Sequence, residues 1–186
     1  MHRPRLIFSL AALFCLASIV SLAACSPDYN WREVRLDNTR LSLLLPCKPD
    51  KAQKVVPLGG RPTTLSMLGC DAGGATFAVA VADIGDAGIA ALVLEQWQSL
   101  TLDNMKAIPA TREVLALKIP GLPAGAFASR VAAQGQRIDG KAVAGQAAYF
   151  AHGSQVFQVV MYTQKIMPEA ADTFFSSLKL EPRNGS

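Results

Sequence analysis

The sequence predicts an α+β fold: a mainly antiparallel β-sheet of about six to eight strands, flanked by two main helices. Three observations carry this prediction. Short apolar–polar alternations recur along the chain, separated by Gly- and Asp-rich turns. One long segment of helical period stands between two runs of such alternations. A Pro-initiated apolar segment follows the last of them. Hairpin connections dominate, which makes the sheet antiparallel and leaves helices to cover one or both faces.

Thr39 to Pro46 reads as a strand stopped by Pro46. Val55 and Val56 belong to a second strand, before the Gly59-Gly60 turn, and Thr63 to Cys70 to a third. Asp71-Ala72-Gly73-Gly74 is a turn signal. Thr76 to Asp83 sets Phe77, Val79 and Val81 on one face and Ala78, Ala80 and Ala82 on the other. The alanine face leaves room for a helix backbone at close range. Asp86 is the expected N-cap of a helix to about Met105, burying Ile89, Leu92, Val93, Trp97 and Leu100. Thr111 to Ile119 is read as the next strand, followed by the loop Pro120 to Pro123. Ala126 to Gln136 and Lys141 to Ala151 form a hairpin about a two-residue Asp139-Gly140 turn. His152 to Ser154 turns the chain into Gln155 to Thr163. That strand is apolar on both faces, which places it centrally, covered twice. Pro168 opens a final helix burying Ala171, Phe174, Phe175 and Leu178, and Lys179 to Glu181 closes as an edge strand.

The chain has 186 residues, 51% of them hydrophobic and 17% charged. That length suits one domain, and the apolar share excludes a disordered chain. Arg3 and Arg5 precede an apolar run, Leu6 to Leu22, the pattern of a secretory signal. The run ends in Leu22-Ala23-Ala24-Cys25, which resembles the lipobox of bacterial lipoproteins. The resemblance implies cleavage before Cys25 and a diacylglycerol thioether on its sulfur. In that family Ser in the next position, here Ser26, is compatible with export to the outer membrane, and the expected location is its periplasmic face. The expected organisation is a signal over 1–24, lipidated Cys25 and a short tether over 25–30, and a single domain over 31–183. Two or more acyl chains hold a protein stably on a membrane, whereas one does so only marginally.

Residues 1–24 hold two of the 18 Lys and Arg and no acid, so the remainder carries 16 cations against 14 acids. That balance, with no Cys/His finger and no long basic stripe, gives no reason to expect nucleic-acid binding. Cys15 leaves with the signal and lipidation consumes Cys25, so Cys47 and Cys70 remain as a pair in an oxidising compartment. A structural disulfide is the favoured reading. The alternative, a redox or metal pair, lacks Cys-x-x-Cys spacing, and His152 is the one imidazole after the signal.

Beyond the anchor, the chain resembles the PsbP-like α/β/α sandwich family. The likeness rests on Leu41-Ser42-Leu43-Leu44-Leu45-Pro46 before Lys48-Pro49-Asp50-Lys51, on the single long helix between strand runs, and on Phe174-Phe175-Ser176-Ser177-Leu178-Lys179-Leu180. It implies an accessory or binding role, and no site residue carries over.

No Gly-x-Ser-x-Gly, His-Glu-x-x-His or phosphate-binding Gly loop occurs. No catalytic residue, metal site or cofactor is therefore assigned. Lys48, Lys51, Lys54 and Arg61 form a candidate contact surface for anionic headgroups or an acidic partner, against the plainer reading of a solvated hairpin guarded by lysines. Arg130 and Arg137 suit a polar sheet face or a cleft. His152 is expected in an exposed turn. Tyr29 and Trp31 are expected either at a headgroup interface or, preferably, packed under the first strand. The functional expectation is a membrane-anchored binding or accessory lipoprotein with an envelope protein as partner. The alternatives are a carrier of a small lipophilic ligand between sheet and helix, and an envelope hydrolase without His.

Overall fold

The computed structural model describes residues 28–182. The signal segment, Cys25 and the first two tether residues after it lie outside the described residues. The architecture is α+β in three layers. The middle layer is a seven-stranded antiparallel sheet in the order β3-β4-β5-β9-β8-β7-β6. Its strands are β3 (Asp50–Leu58), β4 (Arg61–Ala72), β5 (Ala75–Asp83), β6 (Glu113–Leu115), β7 (Ala128–Gln136), β8 (Ala142–His152) and β9 (Gln155–Thr163). Strand β9 is central, with Val159 between Val79 of β5 and Ala148 of β8. Its Phe157, Val159 and Met161 enter one core and its Val156 and Val160 the other, as its double apolar pattern requires.

Helix α1 (Ala90–Asn104) covers the alanine face. Ala80, Ala82, Ala147 and Ala151 lie beneath it with Val93, Leu94 and Trp97. Asp86 caps a short 3-10 turn, Ala87–Ile89, that leads into this helix; its Oδ1 accepts from Gly88 N at 2.8 Å. The buried stripe differs from the expected one. Ala90, Val93, Leu94 and Trp97 are buried, whereas Leu92 and Leu100 are 56% and 52% exposed. A stripe of 90, 94, 97 and 101 satisfies helical spacing as well as one of 89, 93, 97 and 100. The alanine-lined sheet selects the stripe carrying Ala90, because it admits the backbone more closely.

The opposite face is covered by α2 (Pro168–Ser176) together with a second sheet, β1-β2-β10. These strands are β1 (Arg32–Arg35), β2 (Leu41–Leu45) and β10 (Lys179–Leu180). A nine-residue helix is about 14 Å long. Seven strands span about 29 Å. Helix α2 alone therefore leaves Phe77 and its neighbours uncovered. Leu41, Leu43 and Leu45 of β2 fill the gap, packing with Phe174, Phe175 and Leu178. The first and last strands thus form a layer of their own and do not extend the main sheet.

Two further expectations need correction. Only Glu113–Leu115 of the segment 111–119 pairs as a strand. The chain then leaves the sheet edge, buries Ile119 in the aromatic core, and binds Leu180 N through Pro120 O at 2.8 Å. The β7–β8 loop has three residues, not two. Gly140 N donates to Arg137 O and Arg137 N to Lys141 O, both at 2.9 Å, with Gly140 at φ 79°. This is a type I turn followed by a left-handed Gly, in which Ile138 and Asp139 take the turn positions.

Candidate functional site

A cleft of about 820 Å³ opens between the C-terminal half of α1 and the sheet. That volume lies within the range of small-molecule sites. Its apolar lining includes Trp97, Met105, Val143 and Tyr162, and its polar lining Thr101, Asn104, Gln136, Gln158, Thr163 and Gln164. Arg137, Ile138 and Asp139 at the tip of the β7–β8 hairpin form one rim, and Gly74 of the β4–β5 turn another.

Two strand glycines set where α1 ends. A Cβ on Gly135 of β7 would stand 2.0 Å from the carbonyl oxygen of Met105. A Cβ on Gly145 of β8 would meet Met105 Cε at 3.0 Å and Tyr162 Cε1 at 3.1 Å. The helix terminus therefore lies directly on these strands. Gln136 N donates to Met105 O and Ile108 N to Gln134 O, both at 2.8 Å, which ties the exit of the helix to β7. The helix closes with a Schellman motif: Ala107 N donates to Leu102 O and Lys106 N to Asp103 O, both at 2.9 Å. Lys106 occupies the left-handed position at φ 46°, which Gly fills without strain. Lys106→Gly is expected to stabilise the fold by about 0.5 kcal/mol, since relieved strain outweighs the extra freedom of the unfolded chain. Urea denaturation checks this, and a lowered midpoint would contradict it.

The floor of the cleft is polar but uncharged. Gln158 Nε2 donates to Thr101 Oγ1 at 2.8 Å and to Tyr149 Oη at 3.1 Å. Thr101 Oγ1 in turn donates to Trp97 O at 2.9 Å. This chain links helix to sheet across the site. Burial raises the pKa of Tyr149, and hydrogen bonds with Thr101 and Gln158 act in the opposite direction. Tyr162 is pushed up to about 12, first by burial and then by its neighbour Tyr149. Its phenol stays protonated at neutral pH, an uncharged polar group on the cleft wall.

The same shift fixes an alkaline response. An unfolded tyrosine ionises near pH 10, so between about pH 10 and 12 the unfolded chain has lost a proton that folded Tyr162 keeps. Stability is full below about pH 10 and falls by about 2–3 kcal/mol as the pH rises toward 12. Tyr162→Phe should lessen the slope in urea titrations across this window, leaving the part due to buried Tyr149. An unchanged slope would contradict the assignment.

The residues singled out from sequence are scattered. Cys47 and Cys70 form a disulfide that joins the end of β2 to β4. Lys48 is exposed just before β3, and Lys51 and Lys54 are exposed on β3, an edge strand. Lys51 Nζ is 2.7 Å from Asp37 Oδ2, and Arg61 Nη2 donates to the carbonyl of Ile84. None of the four lines the cleft. Arg137 does; Arg130 does not. Arg130 lies beneath α2, 4.2 Å above the ring of Phe175, and donates to Gln146 Oε1 at 2.6 Å. His152 is half-buried at the end of β8, not exposed in the turn, because Arg40 Nη1 reaches its Nε2 at 3.2 Å. Tyr29 and Trp31 stack at 5.6 Å, and both meet the edge of Phe77, which fits their packed reading.

Sequence reasoning missed Gln158, Tyr162 and Thr101 as a group. The available signals were a lone Gln within the apolar run of β9 and two glycines inside strands that border it or its neighbour. Among the described residues, no cluster of three or more His, Cys, Asp or Glu could hold a metal ion. No described helix is long and apolar enough to cross a membrane.

No family model matches the chain, and no curated protein matches it. Among solved structures it is similar to a Pseudomonas aeruginosa protein of unknown function, PA94. The two share 16% identity over 72% of this chain and 83% of that one, with a TM-score of 0.31.

Proposed function

We propose that this chain is a lipoprotein of the outer membrane, anchored through Cys25 and facing the periplasm, that binds a small neutral amphiphile in its sheet–helix cleft. Its domain would belong with the PsbP-like sandwiches. The observation that carries the reading is the cleft lining: Trp97, Met105 and Val143 supply apolar surface, while Gln158, Thr101 and Tyr162 supply uncharged polar groups. Such a lining favours a ligand with an apolar body and a hydroxyl, ester or amide head. A charged head would lose its hydration without an opposite charge on the floor.

The anchor is tested by intact mass of the mature protein, which should carry a diacylglycerol on an amino terminus at Cys25. The site is tested by thermal unfolding with a medium-chain monoacylglycerol and with its fatty acid. At one hundred times its Kd the neutral ligand should stabilise by about 2.7 kcal/mol. Asn104→Trp, which places a large ring in the cleft from an exposed helix position, should abolish the shift. Absence of a shift with every neutral amphiphile, or an equal shift in the variant, would overturn the reading.

A further inference from the structure

The end of the domain that bears the cleft mouth is also the end from which the tether leaves. Tyr29 lies against Gly73 of the β4–β5 turn so closely that a Cβ there would meet its Oη at 2.5 Å. The next residue, Gly74, lines the cleft. Tyr29 Oη also lies 3.8 Å from Met167 Sδ, at the start of α2. The chain is thus held at this end by Tyr29, the second described residue and part of the tether itself. Asp28 follows Cys25 by three positions, with only Ser26 and Pro27 between them, a reach of at most about 10 Å. A domain of this length has a radius of gyration of about 15 Å. The opposite end, with the Gly59-Gly60 turn, is therefore too far away to reach a membrane held at Cys25.

The same end exposes large apolar side chains. Ile138, on the cleft rim, is 99% exposed, and Ile166, next to Met167, is 54% exposed. Charges of both signs mix at this end: Lys141 Nζ is 3.4 Å from Asp139 Oδ2, and exposed Lys48 and Lys106 are accompanied in sequence by exposed Asp50 and Asp103. Apolar contact, not net charge, distinguishes this face.

We infer that this end of the domain rests on the bilayer with Ile138 and Ile166 in its interfacial layer, so that the cleft takes an acyl-chain amphiphile directly from the leaflet. The inference rests on the Cys25 anchor and the cleft proposed above. The tether sets the orientation, and the isoleucines hold it. No anionic lipid is needed.

The test uses the mature lipidated protein in phosphatidylcholine vesicles, with and without brominated acyl chains. Ile138→Trp and Val55→Trp place fluorophores at exposed positions, one on the cleft rim and one in β3 beyond its midpoint toward the Gly59-Gly60 end, and the emission of Trp31 and Trp97 is subtracted using wild type. The bromolipid should remove roughly half of the emission at 138, as expected for a side chain about 5–10 Å into the headgroup–acyl boundary. Position 55 should be unaffected, and 0.5 M salt should change neither result, because apolar contact is not screened as surface charge is. Equal quenching at both positions, or none at 138, would overturn the inference. Native mass spectrometry of the same samples separates the two readings. A bound amphiphile with position 138 unquenched would leave the cleft reading standing and sink the orientation. Quenching at 138 with the cleft empty would sink the cleft reading and uphold the orientation.

Discussion

Replacing Cys47 and Cys70 together by alanine is expected to destabilise the protein by about 3 kcal/mol. The bridge spans 23 residues of sequence, and its loss releases loop entropy in the unfolded chain. The native state gives a second reason for a large effect. The bridge joins the end of β2 to β4, and so one sheet to the other. The packing of Leu41, Leu43 and Leu45 against the aromatic core then holds the layers together with only polar contacts such as Lys51–Asp37 and Arg40–His152 beside it. The midpoint of thermal unfolding should fall by roughly 6–12 °C. A fall of only a degree or two would mean that the pair contributes little to stability.

Gly135→Ala is expected to cost about 3 kcal/mol or more, a severe case of overpacking. The added methyl would stand 2.0 Å from Met105 O, a backbone atom already bonded to Gln136 N. It cannot move without undoing the Schellman closure of α1 and the bond from Ile108 N to Gln134 O. Gly145→Ala offers the control. Its nearest neighbours are Met105 Cε and Tyr162 Cε1 at 3.0 and 3.1 Å. A methionine terminus shifts readily, so this change should cost about 1 kcal/mol. Urea unfolding of the two variants side by side checks the ranking. Equal losses would mean that α1 does not press on β7 as described.

The sequence allowed the layers to be read more easily than the site. Strand β9 was recognisable as central because apolar residues on both faces leave no side for water. The alanine face of β5 announced a helix because small side chains admit a backbone closely. The cysteine pair followed from parity. The rotated face of α1 was hidden because Leu92 and Leu100 are as apolar as Ala90 and Leu94, and only the partner surface chooses between them. The small sheet was hidden because it pairs Leu41 with Leu180, a contact that no local pattern encodes. The cleft was hidden for the same reason. Its lining draws on the β4–β5 turn, the end of α1, a hairpin tip and β9, so no spacing in the sequence brings them together. Arg130 illustrates the converse problem. A lone cation within a strand suits a polar sheet face or a cleft, yet it packs on Phe175 with its Nε buried and without a hydrogen-bond partner among the described residues.

The most direct test of the ligand-binding account is native mass spectrometry of the protein extracted in mild detergent from its own membranes, beside Asn104→Trp. The account predicts that wild type carries one neutral amphiphile beyond the mass of its lipidated chain, and that the variant carries none. A wild-type spectrum showing only the lipidated chain, or the same adduct on both proteins, would contradict it.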